Sequence, residues 1–228
     1  MRQLGDASIQ SYRYDLVYLH ASLLADENER VTALAPSVAA MVDELRVERD
    51  LYERAEEAEI VASAVRVRRD TKLDRTIIGF GGVARAIAEN VYRIFFGRLS
   101  PSRIAKSGLD EQIREVKTLL GQFTNLPEDD PLRVAHEPAI TQALADLEAA
   151  KAAEEQADVA LTVAKTRLVT FKARLDRQRV EIYGKLVDIL GDKSLADTYF
   201  RQTRSTPKGG DLPPPPPGGG DDPDPGAS

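Results

Sequence analysis

Apolar residues recur at alternating steps of three and four along the second half of the chain. They run from Ile140 through Ala143, Leu147, Ala150, Ala157, Leu161, Ala164, Leu168, Phe171 and Leu175 to Ile182, with Glu154 and Gln178 as the polar exceptions. A seven-residue repeat held this long keeps one helix face toward a partner, and it predicts a coiled-coil-like helix over about 138 to 190, about 75 Å long at 1.5 Å per residue. The alanines in its first half allow a neighbouring helix to approach closely.

A weaker version of the pattern occupies the first half. Val38, Met41, Leu45, Tyr52, Ala55 and Ala62 follow the same steps, but Glu48, Glu59, Arg66 and Arg69 stand where apolar residues would continue it, so the register shifts there or the far end is solvated. Proline removes a helical donor and clashes with the preceding turn, and none lies between Pro36 and Pro101 or between Pro138 and Pro207. Each interval therefore holds one long helix. Gly79, Gly81 and Gly82 each cost a helix about 1 kcal/mol, and they predict either a helix break or a close helix crossing, with the break preferred and a shorter amphipathic helix following over about 84 to 97. Shorter helices are predicted before each long one, over about 8 to 24 and about 108 to 123. The first looks apolar nearly all round.

Aligned at an offset of 102, the two long segments match at Pro36/Pro138, Leu45/Leu147, Glu53/Glu155, Ala55/Ala157, Ala58/Ala160, Val61/Val163 and Ala62/Ala164. The match continues at Val67/Val169, Leu73/Leu175, Asp74/Asp176, Arg75/Arg177, Gly82/Gly184 and Ile87/Ile189. This reads as an internal duplication of a medium, a long and a short helix. The expected fold is all-α: an elongated antiparallel helical bundle built from two tandem repeats, residues 1–101 and 102–205, followed by a disordered Pro/Gly-rich tail, residues 206–228.

Charge favours antiparallel docking. Residues 44–59 carry seven acids and three bases and residues 66–75 two acids and five bases, so the first long helix runs from net −4 to +3. Residues 146–158 carry five acids and one base and residues 165–179 one acid and six bases, or −4 followed by +5. Antiparallel packing pairs unlike ends. The plainer alternative is that these charges solvate exposed faces and pair weakly within one helix.

Composition narrows the classes further. The chain has 228 residues, 42% of them hydrophobic and 30% charged, only 6% aromatic, and no tryptophan or cysteine. That balance suits narrow helix seams rather than an α/β enzyme core, and it removes disulfides, thiolate metal sites and cysteine nucleophiles. A net charge of −6 argues against sequence-independent binding to nucleic acid or anionic lipid. The first residues reach polar and charged side chains before any apolar run of signal-peptide length, so no export segment is expected and a cytoplasmic location is. In the tail, Pro213, Pro214, Pro215, Pro216 and Pro217 predict a polyproline II rod, readable either as a ligand for an aromatic-lined groove or as a passive spacer.

Candidate chemistry is sparse. His20 and His136 are the only histidines; neither belongs to an H-E-x-x-H or Glu-x-x-His motif, His136 falling in the proline-bounded loop and His20 on a packing face. The glycines at 79–82 lack the Gly-Lys-Ser/Thr ending of a phosphate loop. Arg66, Arg68, Arg69, Lys72 and Arg75 lack interleaved aromatics for nucleic acid. Residues 76–98 are strongly apolar, yet Arg85, Glu89 and Arg93 recur every four residues, which interrupts any membrane span. No catalytic, cofactor-binding or metal-binding residue and no small-molecule substrate is expected. The expectation is a non-enzymatic structural or protein-interaction bundle that binds a protein partner or itself; the alternative is a membrane-active helical protein that exposes segment 76–98.

Overall fold

Two helices of unusual length set the architecture. The computed structural model describes Leu4 and residues 7–201, and among these every regular element is helical, with no strand. The all-α class expected from the sequence holds. The elements are α1 (Ile9–Leu24), α2 (Glu29–Thr32), α3 (Ala35–Ile87), α4 (Glu89–Phe96), α5 (Pro101–Ile104), α6 (Leu109–Phe123), α7 (Pro131–Leu190) and α8 (Lys193–Thr198).

Local chemistry fixes where they begin and end. The Ser8 side chain accepts the Ser11 N–H at the start of α1, and Asp130 accepts the Leu132 and Arg133 N–H groups at the start of α7. Pro131 then occupies the first turn, where its missing donor costs nothing. Gly191, with φ 67°, ends α7 in the left-handed conformation and returns its N–H to the Val187 carbonyl at 2.8 Å.

Helices α3 and α7 run antiparallel. Glu44 pairs with Arg174 (2.6 Å), Glu48 with Arg167 (2.6 Å), Arg66 with Glu154 (2.5 Å), and Arg69 (3.1 Å) and Lys72 (3.0 Å) both with Asp146. The numbers rise along α3 as they fall along α7, and the acidic half of each helix meets the basic half of the other. Most of these pairs are partly exposed and screened by solvent, so they set register more than stability. Glu48 and Arg66, which break the apolar pattern of α3, are half-buried in the seam and satisfied by Arg167 and Glu154.

Apolar burial is concentrated at the two ends. At one, α1 lays Tyr12, Leu16, Leu19 and Leu23 against Val38, Met41 and Leu45 of α3 and Leu175, Ile182 and Leu186 of α7, with Ala196, Tyr199 and Phe200 closing the layer. At the other, α4, α5 and α6 contribute Phe95, Phe96, Ile104, Val116, Leu119 and Phe123 against Leu73, Ile77, Phe80 and Ala84 of α3 and Ile140, Ala143, Leu144 and Leu147 of α7. Phe80 stands edge-on to Phe95 at 4.9 Å and 5.2 Å from Phe123. Between Leu45 and Leu73 no α3 residue is buried, and between Ala150 and Phe171 of α7 only Leu161 is. Among the described residues the molecule is two helices wide for about 40 Å.

Three expectations need correction. The preferred break at Gly79, Gly81 and Gly82 does not occur; α3 runs through all three to Ile87. Gly81 marks a close crossing instead, since a Cβ there would stand 2.2 Å from Pro101 Cγ of α5, whereas Gly79 and Gly82 face open space. The second long helix begins at Pro131, seven residues before Pro138, which lies inside it. Pro138 is exposed, so the carbonyl it leaves without a helical donor is open to water, and the Asp130 cap with Pro131 makes the stronger start. His136 consequently lies on α7 rather than in a loop, its ring 5.2 Å from that of Phe80.

Candidate interaction surface

The two-helix middle leaves the flanks of its own seam uncovered. A helix pair without a third element can bury one face of each member, and every further apolar residue must face water. On α3, Val47, Leu51, Ala58, Val61 and Val65 share one flank, and Ile60 and Val67 lie on the other. On α7, the side opposite the seam carries Val159, Thr162, Val163, Thr166, Val169 and Thr170, with Val159, Val163 and Val169 exposed to 63%, 61% and 67%. Seam positions on the same stretch are buried or half-buried, from Ala150 and Glu154 through Leu161 to Leu168 and Phe171.

A groove of about 610 Å³ opens on this stretch of α7 between Thr162 and Arg177, with Glu48 of α3 at its edge. Val163, Thr166, Thr170 and Phe171 supply its apolar floor, and Arg167, Arg174 and Arg177 its rim. Two of those guanidinium groups are already engaged, Arg167 through a two-bond contact with the Glu48 carboxylate (2.6 and 2.7 Å) and Arg174 with Glu44. Apolar floor and paired rim suit a side chain or helix face better than a small anion.

The most buried charges lie elsewhere, at the end where α1 packs. Arg179 is 1% exposed; its guanidinium donates to Asp15 (2.7 Å) and Asp176 (2.9 Å), while the Tyr12 hydroxyl donates to Asp176 (2.8 Å). Burial pushes the Asp15 carboxyl above its ordinary range, opposed by the adjacent Arg179 charge and by a hydrogen bond from the Arg201 backbone. At the opposite end Gln112, 2% exposed, donates to Asp74 at 2.6 Å. Burial and neighbouring Asp70 raise Asp74, and the Gln112 bond draws it partly back. Each cluster joins a short helix to a long one. Their role is to hold the caps in register.

The remaining candidates from the sequence are dispersed. His20 is half-buried on α1, at the opposite end from His136. Segment 76–98 is divided: Ile77, Phe80, Ala84, Phe95 and Phe96 are buried, while Ile78, Val83, Ile87 and Ile94 are exposed. Pro213 to Pro217 lie outside the described residues. Among the described residues no group of three or more His, Asp or Glu side chains is placed to hold a metal ion, and no helix is long and apolar enough to cross a membrane. The buried Asp15–Arg179 pair was missed in the sequence, where Arg179 counts only toward a basic helix end. The available signal was its position four residues after Leu175, on the core face.

Comparison with protein-family models, with curated proteins and with solved structures returns no match.

Proposed function

We propose that this protein is a non-enzymatic structural or protein-interaction element: a helical spacer that holds two small bundles apart and presents the exposed flanks of its middle to another protein surface, with the Pro-rich tail as a tether. The observation that carries this reading is the stretch between Leu45 and Leu73, where α3 and α7 are the only described elements and carry apolar residues on their outer sides. The α3–α7 seam is read as coiled-coil-like, from its seven-residue spacing and staggered ion pairs.

The chain is read as a duplicated unit, and the hydrogen bonds support this. Tyr12 of α1 donates to Asp176 of α7, and Gln112 of α6 donates to Asp74 of α3. Donors differ by 100 in number and acceptors by 102, so each medium helix grips the long helix of the other unit in the same manner. An exchange of this kind is what an antiparallel pair of repeats related by a pseudo-twofold axis produces.

Size-exclusion chromatography with light scattering and viscometry, on the full chain and on residues 1–205, tests the reading. An elongated particle, with helicity and melting unchanged by loss of the tail, is expected; a compact particle, or a large loss of helicity in the shorter chain, contradicts it. Liposome co-sedimentation should leave the protein in the supernatant, and pelleting would favour exposure of segment 76–98 on lipid instead.

A further inference from the structure

We infer that the outer face of α7 between Ala152 and Ala173 is the docking site for a second copy of this chain, with the two α7 helices crossing antiparallel near Thr162 and Val163. This rests on the spacer reading and names the partner its exposed middle takes.

The face is built against its apparent surroundings. A solvent-exposed helix side is ordinarily rich in Glu, Lys and Gln, which form helices well and are readily hydrated, whereas Val and Thr are poorer helix formers because their branched Cβ restricts χ1. Here Val159, Thr162, Val163, Thr166, Val169 and Thr170 occupy the outer side, and no element of the described chain covers them. Alanines at 152 and 173 end the stripe, Glu155, paired with Lys151, is its one charged member, and 21 residue steps make it about 32 Å long. Such a stripe matches the a and d positions of a helix that has a partner.

Charge selects which partner and which direction. Asp146, Glu154, Arg167 and Arg174 are already paired with α3 and Arg179 with Asp15. Asp158 before the crossing and Lys165 and Arg177 after it form no ion pair among the described residues, so a parallel second copy sets like charge on like while an antiparallel copy sets acid on base. With the crossing between 162 and 163, Ala152 of one copy meets Ala173 of the other, and Val159 meets Thr166. Asp158 comes beside Lys165, twice over by symmetry. Asp158 and Lys165 are both exposed and form no ion pair among the described residues, so both are free to pair across the axis. The contact uses the same patch on both copies and closes on itself, as a twofold dimer requires.

The chain contains no cysteine, so Thr162→Cys and Ala152→Cys each introduce a single thiol. Under mild oxidation Thr162→Cys is expected to form a disulfide-linked dimer, because its thiols meet at the axis. Ala152→Cys is expected to stay unlinked, its two copies lying about 31 Å apart along the crossing. Sedimentation equilibrium on the unmodified chain should show a dimer, and Val163→Asp should weaken it by at least about tenfold with the circular dichroism spectrum unchanged. A chain that remains monomeric into the high-micromolar range, or equal cross-linking at the two positions, overturns the inference. If that monomer is still elongated the spacer reading stands, whereas a compact particle fails the spacer reading itself.

Discussion

The capped ends and the bare middle of the molecule are built from the same two helices, yet they bury different fractions of the same pattern. Leu175, in the end where α1 and α8 join the pair, is 0% exposed; Leu168, two turns earlier on the same seam, is only half-buried. Both sit at equivalent steps of the seven-residue repeat. Among the described residues four elements enclose Leu175, whereas Leu168 lies at the edge of that cluster, where only α3 and α7 continue. A periodic sequence therefore states which face turns inward but not how deeply.

That contrast can be broken from the ends first. Arg179→Met leaves the Asp15 carboxylate buried without its counter-charge and is expected to lose about 3–5 kcal/mol of stability at neutral pH. The loss should shrink toward pH 4, where Asp15, already raised by burial, takes up a proton instead. Urea titrations at the two pH values check both statements. Next, Leu175→Ala should cost about 2–5 kcal/mol by leaving a cavity, and Leu168→Ala less than about 1.5 kcal/mol because water already reaches it. Equal losses would mean that the middle is as enclosed as the ends.

The glycines of α3 offer a finer test. Gly81→Ala drives a Cβ into Pro101 and is expected to destabilise by about 1–3 kcal/mol. Gly79→Ala or Gly82→Ala, pointing into open space, should instead raise stability by about 0.5–1 kcal/mol through helix propensity alone. Thermal melts of the three variants separate a crossing from a break, since at a break none would gain.

An effect of similar size concerns the contact between Tyr199 and Asp26. The Tyr199 hydroxyl donates to the Asp26 carboxylate, lowering that carboxyl below its ordinary 3.8; burial, with this bond, pushes Tyr199 up to about 12. The Asp26 contribution is present above 3.8 and lost as pH falls through its lowered value. The Tyr199 contribution is present below 10.0 and lost as pH rises toward about 12. Tyr199→Phe should cost about 1 kcal/mol on the plateau between. In ultraviolet titration it should remove one late-ionising phenol.

The sequence disclosed the periodic parts well. Helices α1 and α6 begin and end within about a residue of where their apolar stripes place them, and the α3–α7 seam falls on the expected residues. It was less informative wherever tertiary contact overrides local preference. Gly79, Gly81 and Gly82 are poor helix formers locally, but the packing of Ile77, Phe80 and Ala84 carries the helix past them. Short α2 and α5 hold single buried anchors, Val31 and Ile104, which no window of periodicity can detect. The candidate interaction face was legible only as leftover Val and Thr; its meaning depends on knowing that no described element covers it.

The most direct test of the account is a pulsed dipolar distance measurement across the middle, with spin labels on Asp43→Cys and Arg75→Cys, both exposed and both on α3. One rod of 32 residue steps predicts a single narrow population at about 48 Å. A broad or much shorter distribution would show that α3 bends or breaks between its capped ends, and the two-helix spacer would be contradicted.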